Sequence, residues 1–241
     1  MRILVIGATG MVGTRIVAEA AARGHHVTAA ARTPGRHRHT HGAHVPGADV
    51  LGTHVHAALD PGTHVHQPTG TVEPLALDAA ATDQVADALG GADAAVLTVR
   101  APAGRPGAIV PVTEAVLDAA GRRGARLLVV GGAGPLRSPR GADRVVVDDP
   151  AYVPAQWREI AGASVTQLDI CERHANRDWV YLSPPAVLEP GERTGSYRRG
   201  TTTLLTDADG VSRISAEDLA AAVVDELEHP GHDRHVTVAE T

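Results

Sequence analysis

The stretch that decides the fold is Met1–Thr33, MRILVIGATGMVGTRIVAEAAARGHHVTAAART. Arg2–Ile6 is a short, β-branched apolar run that stops at Gly7, as a buried strand does. From Met11 to Arg23 the apolar residues Val12, Ile16, Val17 and Ala20 recur at helical spacing, and Gly24 follows as a left-handed stop. His26–Ala31 reads as a second strand. Strand, glycine turn, helix and strand thus occupy about thirty residues, the length of one βαβ unit. Glycines at positions 7, 10 and 13 punctuate the turn.

The alternation continues outward. Strands are predicted at Thr71–Leu77, Ala92–Val99, Ala125–Gly132 and along DWVYLSPP (178–185), with a last one at RHVTVAE (234–240). Between them lie helices: one opened by Thr82 as N-cap, one from Ile109 with Pro111 in its first turn, and one over about Ala155–Asn176 that Gly162 is expected to break. The final helix, SAEDLAAAVVDELEH, has Ser215 as N-cap and Asp218 three residues on, close to a capping box. TTTLLTDADGVSRIS reads as a hairpin turning at Asp207–Gly210. Strands alternating with helices predict an α/β, Rossmann-type doubly wound and mostly parallel sheet. The 241 residues fit one large domain or one domain with a small appended lobe. Residues 35–70, rich in His, Gly and Pro and carrying GTHVH twice, read as an insertion between strands two and three.

Composition narrows the function. The 241 residues are 43% apolar, enough for a sizeable core, and no apolar run nears the roughly 18 residues of a membrane span. No signal-peptide pattern opens the chain. The single cysteine, Cys171, fits a reducing, cytoplasmic setting. A net charge of −6 without a basic run argues against nucleic acid as a partner. The expected partner is a small molecule, with the protein a monomer or homodimer. All 22 basic residues are arginine, so no lysine-dependent mechanism can operate. The paired histidines of the insertion lack cysteines or nearby acids to complete a metal site, so no metal is expected.

The glycine turn has a chemical use. A helix N-terminus presents free N–H groups and a partial positive charge, which suit a diphosphate. Gly7 would make the tight turn, Gly10 would let the phosphates approach, and Gly13 would let the helix pack on the sheet. The spacing G-x-x-G-x-x-G departs from the more usual G-x-G-x-x-G, yet its place inside a βαβ unit gives it meaning. An NAD site would usually carry an acid at the end of the second strand, about 20 residues on, for the ribose 2′-hydroxyl. Here Arg32 and Thr33 stand in its place. A guanidinium fork suits a 2′-phosphate, so NADP(H) is favoured over NAD(H); the alternative is a surface arginine at a strand end. Asp78 either accepts from the adenine amino group or orders the start of a helix.

On these residues, and on LLVVGGAGPL (127–136), DWVYLSPPAVLEPGERTGSYR (178–198) and DADGVSRISAEDLAAAVVDELEHP (207–230), the chain resembles an atypical short-chain dehydrogenase/reductase of the NAD(P)H-binding group. That group includes NmrA-like proteins and biliverdin-IX-beta and flavin reductases, and the resemblance implies one Rossmann-type domain over 1–241 with a small C-terminal substrate lobe at about 185–215. The resemblance implies that Gly7, Thr9, Gly10, Met11, Val12 and Gly13 form the diphosphate turn and that Arg32 holds the 2′-phosphate. It implies that Thr98 and Val99 line the adenosine–ribose side, that Gly131, Gly132 and Ala133 lie beside the nicotinamide ribose, and that Ser183, Pro184 and Pro185 lie near the carboxamide.

The usual short-chain dehydrogenase pair, Tyr-x-x-x-Lys, cannot exist without lysine; Tyr152 has Gln156 four residues on. This favours an NADPH-dependent reductase of a small planar or conjugated molecule, whose acceptor needs no dedicated proton donor. Two alternatives are an NmrA-like sensor that binds NADP(H) without turnover, and an isomerase or dehydratase that retains the cofactor. No catalytic residue is assigned from the sequence. Tyr152, Trp157 and Tyr197 are the aromatics expected at the substrate cleft, whereas Trp179, Tyr181, Cys171 and His174 read as structural.

Overall fold

The computed structural model describes residues 1–34, 70–141 and 143–241; the predicted insertion at 35–70 lies, but for Gly70, outside the described residues. The first βαβ unit forms as read. β1 (Arg2–Ile6) leads into α1 (Met11–Ala22), which Gly24 ends at φ +86°, and β2 (His26–Ala31) pairs in parallel beside β1. Then come β3 (Thr71–Ala76), α2 (Thr82–Ala88), β4 (Ala94–Leu97), α3 (Ile109–Arg123), β5 (Arg126–Val130), α4 (Arg158–Arg173), β6 (Trp179–Ser183), β7 (Val187–Glu189), β8 (Tyr197–Gly200), β9 (Arg213–Ser215), α5 (Ala216–Glu228) and β10 (His235–Glu240).

Eight strands make the main sheet, in the order β3-β2-β1-β4-β5-β6-β10-β8. All its pairs are parallel except β10 with β8, and β7 and β9 form a small parallel pair apart. The chain starts in the middle and winds first to one edge, then to the other, so the β1–β4 boundary is the switch point of a doubly wound fold. Burial on both faces makes the central strands continuously apolar. Alternate residues still choose sides. Ile3, Val5, Leu128, Val130, Val180 and Leu182 pack with α1 and α5. Leu4, Ile6, Leu127, Val129, Trp179 and Tyr181 pack with α2, α3 and α4. A third cluster, Leu136, Val146, Val153 and Leu204, sits in the segments that follow β5 and β8. No helix among the described residues is long and apolar enough to cross a membrane.

Several local expectations give way to tertiary packing. Gly162 does not break α4, which begins after a 3-10 turn at Ala155–Trp157 and runs through to Arg173; one glycine in a helix packed on its neighbours costs only about 1 kcal/mol. Thr82 lies inside α2, whose N-cap is Ala81 without a side-chain bond. The predicted hairpin is replaced. Its turn forms, Asp207 N–H donating to Val211 O at 2.8 Å, but the flanks part. Thr202 and Leu204 bond to the backbone of Arg137, while β9 pairs with β7. At α5 the Ser215 cap is present, its Oγ accepting from Asp218 N–H at 2.9 Å. Asp218 does not return the bond as a capping box would; its carboxylate accepts from Thr194 Oγ1 at 2.6 Å and Gly195 N–H at 2.7 Å, tying down the 194–196 loop.

Candidate functional site

The glycine turn closes on itself at the switch point. Gly7 stands at φ +93°, a conformation that side chains rarely adopt. Its N–H and that of Ala8 both donate to Ala30 O, so the turn hangs on the end of β2. A Cβ on Gly13 would stand 2.2 Å from Gly7 O, so only glycine lets α1 approach the turn this closely. Gly10 is the N-cap, without a side-chain bond, and the first helical hydrogen bond runs from Thr14 N–H to Gly10 O. The N–H groups of Met11, Val12 and Gly13 therefore have no acceptor in the helix. Thr9, Gly10 and Met11 are exposed and Val12 is half-buried. Thr98, at the end of β4, closes the far side of the turn, its Oγ1 and backbone oxygen 3.0 Å from where a Gly7 Cβ would be.

A cradle that a Cβ would fill, floored by unpartnered amides at a helix N-terminus, fits a diphosphate by shape and charge. Arg32 and Thr33 are exposed just beyond β2, and Arg32 has no ion pair among the described residues. Asp78 is also exposed, but it is engaged locally: its Oδ1 accepts from Ala80 N–H at 3.1 Å, ordering the turn before α2.

On the other side of the switch point the strand ends are tightly braced. Gly131 has no room for a Cβ, which would fall 1.9 Å from the Tyr181 hydroxyl oxygen. Gly132 lies against Ser164, and Gly134 against Ala161 O of α4. These glycines, read as cofactor neighbours, thus have a packing reason of their own. Ser183 is fully buried; its Oγ shares a hydrogen bond of 2.9 Å with His235 Nε2, and its carbonyl accepts from Thr237 Oγ1 at 2.8 Å. Burial lowers the pKa of His235 to about 4, so the ring is neutral near pH 7. Pro184 and Pro185 are buried beside it. Val99 packs between the α2–α4 core and the small cluster of Ala101, Ile109 and Ala163.

The three candidate aromatics do not gather at one place. Tyr152 packs on the Leu136, Val146, Val153 and Leu204 cluster together with Ala133 and Ala186, which follow β5 and β6. Trp157 is 55% exposed at the head of α4. Tyr197 lies on the opposite, α1–α5 face, where its hydroxyl donates to Asp225 at 2.5 Å. It lies on β8, which among the described residues pairs with β10 alone, and its ring packs on the cluster shared with α1 and α5. Sequence reading also missed an ion-pair chain on that face. Glu19 accepts from Arg23 Nε at 2.8 Å and from Arg193 Nε and Nη2 at 2.7 Å each. Arg23 reaches on to Asp225 and Glu228. Residues 174 positions apart carry no local signal of such a meeting.

Sheet order and glycine turn define a Rossmann-type nucleotide-binding protein. The sequence matches the family model described as NAD(P)H-binding over residues 50–230. It is 34% identical to the uncharacterized protein YwnB of Bacillus subtilis strain 168 over 243 residues, covering all of this chain and 99% of that one. Two solved structures are similar across the fold. One, from Bacteroides thetaiotaomicron and provisionally described as an epimerase, is 31% identical, with 99% of this chain and 96% of that one covered and a TM-score of 0.75. The other, from Streptococcus pneumoniae TIGR4 and provisionally described as an NADH-flavin reductase, is 26% identical over the whole of both chains, with a TM-score of 0.73. The chain belongs to the NAD(P)H-binding family, of the atypical short-chain dehydrogenase/reductase type. Its ligand is accordingly a nicotinamide dinucleotide.

Proposed function

We propose that this protein is an NADPH-dependent reductase of a small planar or conjugated molecule. The observation that carries the cofactor half is the amide cradle closed by Gly13 on Gly7, with Arg32 at the tip of the neighbouring strand. The diphosphate would lie on the N–H groups of Met11, Val12 and Gly13, with Gly10 and Thr9 at its edge. Arg32 and Thr33 would take the 2′-phosphate, its fork geometry matching two phosphate oxygens. Thr98 and Val99 would line the middle of the dinucleotide, and Asp78 would border the adenine. A dinucleotide held so at β2 and α1 must extend past the switch point towards β5 and β6. That direction brings its nicotinamide half to Gly131, Gly132 and Ala133 and to Ser183, Pro184 and Pro185.

Bound NADPH supplies a hydride. The chain's own residues supply the shape of the acceptor site and little acid–base chemistry. Of the three tyrosines, Tyr181 is sealed in the core and Tyr197 is tied to Asp225. Tyr152, with its ring on the cluster that follows β5, is the one left to border the acceptor, with Trp157 as a flat, exposed wall. An acceptor whose reduced form takes its proton from water suits such a site, which is why quinones, flavins and enones are the favoured class.

Titration of the protein with NADPH, NADP⁺, NADH and NAD⁺, followed by NADPH oxidation with a panel of those acceptors, tests the proposal. NADPH binding tighter than NADH, with turnover of at least one conjugated acceptor, is expected. Flat titrations with all four nucleotides overturn it. Tight NADPH binding without turnover instead favours a redox sensor, the reading that the engaged Tyr181 and Tyr197 also fit. Substrate conversion without net change in nucleotide absorbance points to an isomerase or dehydratase.

A further inference from the structure

We infer that Tyr181 is a positioning residue for the nicotinamide half of the site, holding in register the two backbone segments after β5 and β6 over which that half would lie and the turn of α4 packed against them. The inference rests on the proposal that the dinucleotide extends from α1 towards β5 and β6. Tyr181 points from β6 into the core shared with α2, α3 and α4 and is 0% exposed. Core filling alone would call for a phenylalanine or leucine. The phenol brings an oxygen that must find partners when buried, and those partners are all backbone or side-chain groups at the edge of the site.

The hydroxyl donates to Ser164 O of α4 at 2.9 Å, with Gln167 Oε1 at 3.4 Å. The hydroxyl also fills the space that a Cβ on Gly131 would take, 1.9 Å from where that atom would stand. From the other side the His235 ring meets the Tyr181 ring edge-on, with centroids 5.5 Å apart and planes at 85°. That same imidazole holds Ser183 Oγ at 2.9 Å. Gln167 continues the brace, Nε2 donating to Thr113 Oγ1 at 3.4 Å, and Thr113 donates to Ile109 O at 2.8 Å. One phenol therefore sets the Gly131–Gly132 turn, the Ser164 turn of α4 and, through His235, the Ser183–Pro185 segment relative to one another. The adenosine half, placed at α1 and Arg32 in the proposal above, would touch none of these groups.

This difference is the test. Dissociation constants for NADPH and for adenosine 2′,5′-bisphosphate, which lacks the nicotinamide half, are measured for wild type, Tyr181→Phe and Gly132→Ala. Loss of the hydroxyl should weaken NADPH about threefold to tenfold, the effect of one hydrogen bond. It should leave the bisphosphate within twofold. Gly132→Ala presses on Ser164 from a Cβ 3.0 Å from its Oγ without emptying the core; it should weaken NADPH selectively in the same way, and it stands in should the phenylalanine variant not fold. Equal weakening of both ligands, or no change in either, overturns the role of Tyr181 while leaving the reductase proposal standing. Wild-type protein that binds neither ligand overturns both.

Discussion

At the scale of the residue, the site depends on a few side chains that are absent and one that is present. Gly13 is required because the α1 backbone passes too close to Gly7 O for any Cβ, and Gly7 because its φ is positive. Arg32 is the opposite case. It is exposed, so its removal should act on binding and not on folding. Arg32→Ala should weaken NADPH about 10- to 100-fold, the range of charge-assisted hydrogen bonds to a phosphate. NADH should change little, and the thermal midpoint of the unliganded protein should not move. Loss of both nucleotides in parallel would show that Arg32 does not read the 2′-phosphate. The close turn of Gly7 and Gly13 was legible in the sequence because it forms within one βαβ unit. The brace around Tyr181 was not: Gly131 and Ser164 are far from it in the chain, and only the β5–β6 register and the packing of α4 on the sheet bring them to its hydroxyl.

At the scale of the element, α1 is the helix that would bind phosphate, and its rear is clamped. Glu19 on α1 is buried and receives Arg193 from the 190s segment and Arg23 from the C-cap of its own helix, while Arg23 grips Asp225 and Glu228 on α5. Near the front of the helix Arg15 pairs with Glu217, whose other oxygen accepts from Gly191 N–H at 2.8 Å. The bond from Arg193, together with Arg23, holds the Glu19 carboxyl below its ordinary pKa against the opposing effect of burial. Glu19→Gln keeps the shape but leaves two guanidinium groups facing a neutral amide. It should lower unfolding free energy by about 2 kcal/mol at pH 7, read from denaturant midpoints. The difference from wild type should shrink as pH falls through the folded pKa of Glu19, since a depressed carboxyl contributes stability only while it is ionised. Helix α1 itself was legible from its apolar spacing; its partners on α5 and in the 190s were not, because salt-bridge partners follow from how elements dock.

At the scale of the whole molecule, acid stability should show a limb that belongs to one buried ring. His235 is held neutral by burial, with its pKa at about 4 instead of 6.5. Between those values the unfolded chain binds a proton that the folded chain does not, so stability rises with pH across that window and falls on acidification. The shift corresponds to at most about 3 kcal/mol. Unfolding free energies measured from pH 7 to pH 4 should fall along that limb, and His235→Gln should flatten it; an unchanged slope would mean that the ring already charges in the folded state.

The alternation of apolar runs and amphipathic segments was enough to determine a doubly wound sheet, because strands buried on both faces and helices buried on one leave different periodicities in the chain. It also determined the glycine turn between β1 and α1, since close glycine spacing after an apolar strand marks itself locally. Tertiary structure alone decided that β9 leaves its expected hairpin to pair with β7, that α4 passes through Gly162, that Tyr197 turns to α5, and that Tyr181 braces the ends of β5 and β6. In each of these the competing local options differ by about 1 kcal/mol or less, and contacts between residues distant in sequence outweigh them.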